Sequence, residues 1–178
     1  MLKLFNKIRK TGIVTEKVDM PSGLSDKDSD SLQALGVQVK TKIDKHFSGS
    51  FAIRAVDAGS CNACELEIQA LGNPIYDIER FGVHFVASPR HADALLVTGP
   101  VSCHMAEALL SVWQAVPEPK FLIAMGDCAV DGGEFAGSYA VMDGVSDLLS
   151  PDVLISGCPP TPEIILKAVL ALLQNNKA

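Results

Sequence analysis

The stretch Asp57-Ala58-Gly59-Ser60-Cys61-Asn62-Ala63-Cys64-Glu65-Leu66-Glu67 sets a cysteine pair, with two residues between, in a glycine-bearing loop just after the apolar run Phe51-Ala52-Ile53-Arg54-Ala55-Val56. That run has strand composition, and Glu65 to Leu71 reads as a helix that Gly72 and Pro74 stop. The order strand, glycine, cysteine recurs twice. Phe121-Leu122-Ile123-Ala124-Met125 leads into Gly126-Asp127-Cys128, and Val153-Leu154-Ile155 into Ser156-Gly157-Cys158-Pro159-Pro160. In open parallel sheets ligands bind beyond the carboxyl ends of the strands, so sulfurs far apart in sequence can meet at one sheet edge.

The remaining chain supports such a sheet. Val83 to Ala87 is a short strand, and Ala94-Leu95-Leu96-Val97-Thr98 is an unbroken apolar run suited to a central parallel strand, broken at Gly99-Pro100. Met105 to Val116 carries Ala108, Leu109, Val112, Trp113 and Val116 at helical spacing, with Pro117 and Pro119 beyond. Thr161-Pro162-Glu163 opens the last helix, with Thr161 as N-cap, Pro162 in the first turn and Glu163 at the positive end. Ile164, Ile165, Ala168, Val169 and Leu172 give that helix a core face. Alternating strands and helices predict an α/β, doubly wound parallel sheet with helices on both faces.

Residues 1–50 are expected to form an N-terminal extension and residues 51–178 the folded domain. Met1 to Lys10 places Leu2, Leu4, Phe5 and Ile8 against Lys3, Lys7, Arg9 and Lys10, an amphipathic helix with a basic face that suits a membrane-protein partner better than bare lipid. Thr11 to Asp30 reads as an extended linker. Ser31 to His46 has Leu32, Leu35, Val39 and Ile43 at helical spacing, broken by Gly36.

With 178 residues, 48% hydrophobic and 20% charged, the chain can bury a core, and its formal charge of −6 argues against a phosphate-binding surface and hence against nucleic acid. No apolar run reaches the roughly 20 residues needed to span a bilayer, and no secretory signal is visible, so a cytoplasmic protein is expected. Five cysteines in a chain of this size suit metal or redox chemistry better than disulfide staples.

Soft thiolates select iron-sulfur clusters or zinc. Zinc sites usually come as two close cysteine pairs, whereas Cys128 and Cys158 are remote singles. The spacing therefore predicts a 4Fe-4S cluster on Cys61, Cys64, Cys128 and Cys158, with a zinc-stabilised, non-catalytic binding module as the competing reading. Cys64, at a helix start, would meet an anionic cluster where unpaired N–H groups favour negative charge. Cys103 follows Gly99-Pro100-Val101-Ser102 in another strand-end loop, but four ligands already complete the site. His84, His91 and His104 lack metal-like pairing with a cysteine and are read as core or surface residues. Asp127 and Asp131 are expected to serve loop hydrogen bonds. Glu67 is either a proton relay beside the redox centre or an exposed helix carboxylate.

Five pieces of this sequence appear in family order: Asp57 to Glu67; Ser88-Pro89-Arg90-His91-Ala92-Asp93; Leu95-Leu96-Val97-Thr98-Gly99; Gly126-Asp127-Cys128 with Gly132-Gly133; and Gly157-Cys158-Pro159-Pro160-Thr161-Pro162-Glu163. In them the chain resembles the small, cluster-bearing subunit of energy-converting, membrane-bound nickel-iron hydrogenases, which is homologous to the subunit of respiratory complex I that carries its cluster N2. The resemblance implies a flavodoxin-like fold and a proximal 4Fe-4S cluster on Cys61, Cys64, Cys128 and Cys158. It implies a nickel-iron centre in a separate large subunit, a ferredoxin-like polyferredoxin subunit and membrane-arm subunits as partners, and a peripheral place on the cytoplasmic side of the membrane. It also implies that Met1 to Lys10 contacts the membrane arm and that Glu67 lines a proton or coupling route. The gap Cys61-Asn62-Ala63-Cys64 is hydrogenase-like, since complex I subunits carry two adjacent cysteines there. Asp127 departs from the alanine common in relatives. An equivalent subunit of a complex I-like quinone or sulfur oxidoreductase is the alternative.

Overall fold

The computed structural model describes residues 26–175. The helix expected over residues 1–10 lies outside the described residues, as does most of the linker expected over residues 11–30, whose last five residues are helical instead. From Ser31 onward the described residues form one compact unit.

In the described residues five parallel strands form one sheet: β1 (Phe51–Asp57), β2 (Val83–Phe85), β3 (Ala94–Thr98), β4 (Phe121–Met125) and β5 (Val153–Ile155), in the order β2-β1-β3-β4-β5. This is the flavodoxin-like order, with its switch point between β1 and β3. The helices are α1 (Asp26–His46), α2 (Ala63–Ala70), α3 (Ala106–Ala115), the short α4 (Asp127–Asp131) and α5 (Pro162–Asn175). Each predicted strand is found: β2 is two residues shorter than expected, β1 is one longer, and β3, β4 and β5 span the expected residues.

Why β3 is apolar at every position follows from its place. It is paired on both edges, with Ile53 opposite Ala94 on one side and Phe121 opposite Ala94 on the other. Successive strand side chains point to opposite faces. Ala94 and Leu96 join Ile53, Ile123 and Met125 under α1 and α5, while Leu95 and Val97 join Val56, Leu122 and Ala124 under α3. Both faces are dry, so no polar position remains except at the strand end. Each fully buried Leu or Ile contributes about 1.5–3 kcal/mol relative to exposure.

Two aspartates extend the ladders at the opposite edge. Asp93 Oδ2 accepts the Ala52 N–H at 2.7 Å while the Asp93 N–H donates to Ala52 O at 2.8 Å. Asp152 repeats this with Leu122, at 2.8 Å for each bond. Both pin the register that decides where the strands end.

Gly36 does not break α1, contrary to the sequence expectation. A Cβ there would meet the ring of Phe81, so the glycine is a seat for that ring. Arg80 fastens the same contact, lying 4.6 Å over the Phe81 ring and donating from Nη2 to Gln33 Oε1 at 2.8 Å. Leu32, Val39 and Ile43 of α1 are buried against the sheet. In an exposed helix Gly→Ala gains about 1 kcal/mol. Here Gly36→Ala is expected to lose about 1 kcal/mol, because overpacking typically costs 1–3 kcal/mol, and a denaturant midpoint measures the sign.

Candidate functional site

The loop after β1 is held from within. Asp57 Oδ1 accepts the N–H groups of Gly59 and Ser60 at 2.8 and 2.6 Å, which turns the chain back over the sheet edge. Asn62, at φ 73°, precedes α2, and Cys64 lies in the first helical turn, as its sequence position predicts. β3 lies between β1 and β4, so this loop must cross its end to reach β4. It does so over Gly99, where a Cβ would collide with the backbone of Ser60.

The loop after β4 turns at Gly126 (φ 89°, ψ 153°) straight into α4, so Cys128 lies in a helical turn. Asp127 ties this turn to the loop after β5. Its Oδ1 accepts the Gly157 N–H at 2.7 Å, and its own N–H donates to Gly157 O at 3.0 Å. Asp131 Oδ1 accepts the Gly133 N–H at 2.9 Å. Both aspartates thus serve the loop hydrogen bonds expected of them, and Asp127 has work that an alanine could not do.

These turns bring Cys61, Cys64, Cys128 and Cys158 to the lining of one open pocket, with Gly99, Gly126 and Gly157 between them. Cys61 and Cys158 are exposed, Cys64 and Cys128 half-buried. Cys64 Sγ lies 3.9 Å from Met125 O. Burial pushes the Cys64 thiol up to about 12, helped by the charges of Glu65, Cys61, Cys128 and Cys158. Burial likewise raises the Cys128 thiol, followed by the charges of Cys158, Cys61 and Asp127, against the lowering effect of a backbone hydrogen bond. Each of these two sulfurs therefore feels the other cysteines, and four thiolates in this pocket require compensating positive charge. Among the described residues no three His, Cys, Asp or Glu side chains gather at the spacing that holds a single metal ion.

The other residues singled out in the sequence lie elsewhere. Cys103 is exposed, its N–H bonded to Ala140 O at 2.9 Å and its Sγ 3.8 Å from Tyr139 O, and it does not line the pocket. Neither do His84, His91 or His104. Glu67 is half-buried on α2 and, with Glu163, raises the Tyr76 hydroxyl after the effect of burial, away from the pocket lining.

Sequence reasoning gave no role to Glu65 or Thr98. Thr98 ends β3 and is 1% exposed, the buried polar side chain among the described residues. Its hydroxyl donates to Glu65 Oε1, and Ser60 Oγ donates to Glu65 Oε2 at 2.6 Å. A threonine closing an all-apolar central strand was the available signal, because a buried hydroxyl needs a partner.

Fold and pocket together define an α/β domain with a four-thiol site at the carboxyl edge of a parallel sheet. Residues 61–172 match the family described as NADH ubiquinone oxidoreductase, 20 Kd subunit, and the chain belongs to that family of oxidoreductase subunits. Formate hydrogenlyase subunit 7 of Escherichia coli is 44% identical over 128 residues, 72% of this chain and 50% of that protein, so this chain spans about half of that relative's length. The "Probable membrane-bound hydrogenase subunit mbhJ" of Pyrococcus furiosus is 46% identical over 119 residues, 67% of this chain and 71% of that protein. Among solved structures, a chain of the archaeal membrane-bound sulfane sulfur reductase complex superposes with a TM-score of 0.64 at 27% identity, covering 80% of this chain and 78% of that one.

Proposed function

We propose that this chain is the electron-transfer subunit of a membrane-bound nickel-iron hydrogenase complex, with Cys61, Cys64, Cys128 and Cys158 as the ligands of one 4Fe-4S cluster beside a nickel-iron site in a separate large subunit. The observation that carries this is the pocket itself: turns after β1, β4 and β5 present four soft donors to one space. When bound, a 4Fe-4S cluster supplies one-electron transfer. The donor set fits it. Four thiols match its ligand count, and the mutual repulsion of the thiolates suits a cationic iron core.

The protein's own residues do the holding. Asp57 and Asp127 brace the two loops, and the glycines between the cysteines leave that part of the wall without side chains. Electrons pass between the large subunit and a ferredoxin-like polyferredoxin subunit, while hydrogen chemistry belongs to the large subunit. The assembly stands on the cytoplasmic side of the membrane with residues 1–10 against membrane-arm subunits; no helix among the described residues is long and apolar enough to cross a membrane. Glu67, half-buried beside Tyr76, is the proposed proton relay.

A second reading, an equivalent subunit of a complex I-like quinone or sulfur oxidoreductase, is favoured by the family description and by the likeness to the sulfane sulfur reductase complex. One preparation separates them. The native complex, purified without oxygen, is expected to contain nickel and a large subunit with two paired-cysteine motifs. Iron and sulfide in this chain with no nickel in the complex would select the second reading. Zinc without sulfide or a reducible low-temperature paramagnetic signal would leave only a zinc-stabilised binding module.

A further inference from the structure

We propose that Glu65 is a positioning residue for the first cysteine pair: its carboxylate fastens the Cys61–Cys64 turn to the buried end of β3 and holds a negative charge against the Cys64 sulfur. This rests on the cluster reading above.

Glu65 occupies the third position of α2, where a glutamate ordinarily reaches back to the N-cap backbone. Here that N–H is taken. The Asn62 N–H donates to Ser60 Oγ at 3.0 Å, and Ser60 Oγ in turn donates to Glu65 Oε2 at 2.6 Å. The other carboxylate oxygen accepts from Thr98, whose hydroxyl also has Val56 O at 3.3 Å as an acceptor. The side chain has therefore left the capping position and turned inward to β3. Both oxygens act as acceptors, the role of an ionised carboxylate.

Two consequences follow from that geometry. First, Ser60 and Cys61 are adjacent, so a tether on Ser60 limits where the Cys61 sulfur can sit. Thr98 is the fixed end, paired in register with Asp57 and enclosed by the core. Second, a fixed negative charge next to Cys64 opposes the arrival of another electron and lowers the reduction potential, net charge being one of the protein's levers on a cluster. Glu65 follows Cys64 directly in the first turn of α2.

The two roles separate by substitution in the full chain, its cluster built anaerobically from ferrous iron and sulfide. Glu65→Gln keeps the shape and can still bond both hydroxyls, but carries no charge. It is expected to bind iron and sulfide as the unaltered chain does and to titrate at a more positive potential, by roughly tenfold in the reduction equilibrium, or about 59 mV for one electron. Glu65→Ala loses the tether too, and its iron and sulfide content is expected to fall several-fold, with content restored in the glutamine variant. An unchanged potential in Glu65→Gln, or full iron content in Glu65→Ala, overturns the inference and leaves the cluster reading standing. An unaltered chain that takes up no iron and sulfide overturns both.

Discussion

Cys128→Ser is expected to lower the iron and sulfide content of the anaerobically prepared chain by on the order of tenfold, while Cys103→Ser leaves both at the level of the unaltered protein. The contrast comes from position. Both cysteines follow a central strand by a few residues, and both have a glycine between them and that strand. Cys128 is half-buried and lines the pocket with three other sulfurs, whereas Cys103 is exposed, with its backbone and sulfur directed to the turn at Tyr139 and Ala140. Losing an outer partner of a metal ligand costs about 10–100-fold in affinity, and losing a ligand costs at least as much. Serine is nearly isosteric with cysteine, so the fold is retained and circular dichroism of the cluster-free variants should overlay. Equal losses at the two positions would mean that the ligand set is wrong.

Gly126→Ala is expected to damage fold and site together. Its φ of 89° and ψ of 153° lie in a region essentially reserved for glycine, where other residues cost about 1–3 kcal/mol. The added Cβ would also stand 2.7 Å from Cys64 Sγ, so the sulfur must move out of its place in the pocket wall. For a domain of this size, 1–3 kcal/mol corresponds to a fall in melting temperature of about 2–12 °C. Gly137→Ala is the control, because its φ is 74° but nothing lies within 4 Å of the added carbon. Backbone strain is common to both variants, while loss of iron and sulfide is expected only for Gly126→Ala. A Gly126→Ala chain with full iron content would show that Cys64 does not need its observed position.

Several features of the fold are local in origin and legible in sequence. The run Ala94 to Thr98 is found as a strand over the same residues, and Phe121 to Met125 likewise, since both are short, apolar and bounded by breakers. Pro162 begins α5 directly after Thr161, as the capping pattern predicts. Where the reading of Gly36 went astray, a distant residue was responsible. Gly36 reads as a breaker because glycine weakens helices, yet the Phe81 ring packed on it more than compensates. Residues 26–30 read as linker from their polarity, and they extend α1.

The linear order of residues by itself determined the alternation of strands and helices, the dry central strands, and the presence of a cysteine just beyond the ends of β1, β4 and β5. Each of these is encoded within a window of about ten residues, by periodicity and by turn-forming residues. Only the tertiary structure decided that β3 lies between β1 and β4, that the first loop crosses it at Gly99, and that Cys103 stays outside the pocket while Glu65 reaches Thr98. Those outcomes depend on pairings between strands some forty residues apart, such as Asp57 with Thr98, and on which face a helix presents once the sheet is packed. Local pattern carries neither the strand order nor the crossing that makes four scattered thiols neighbours.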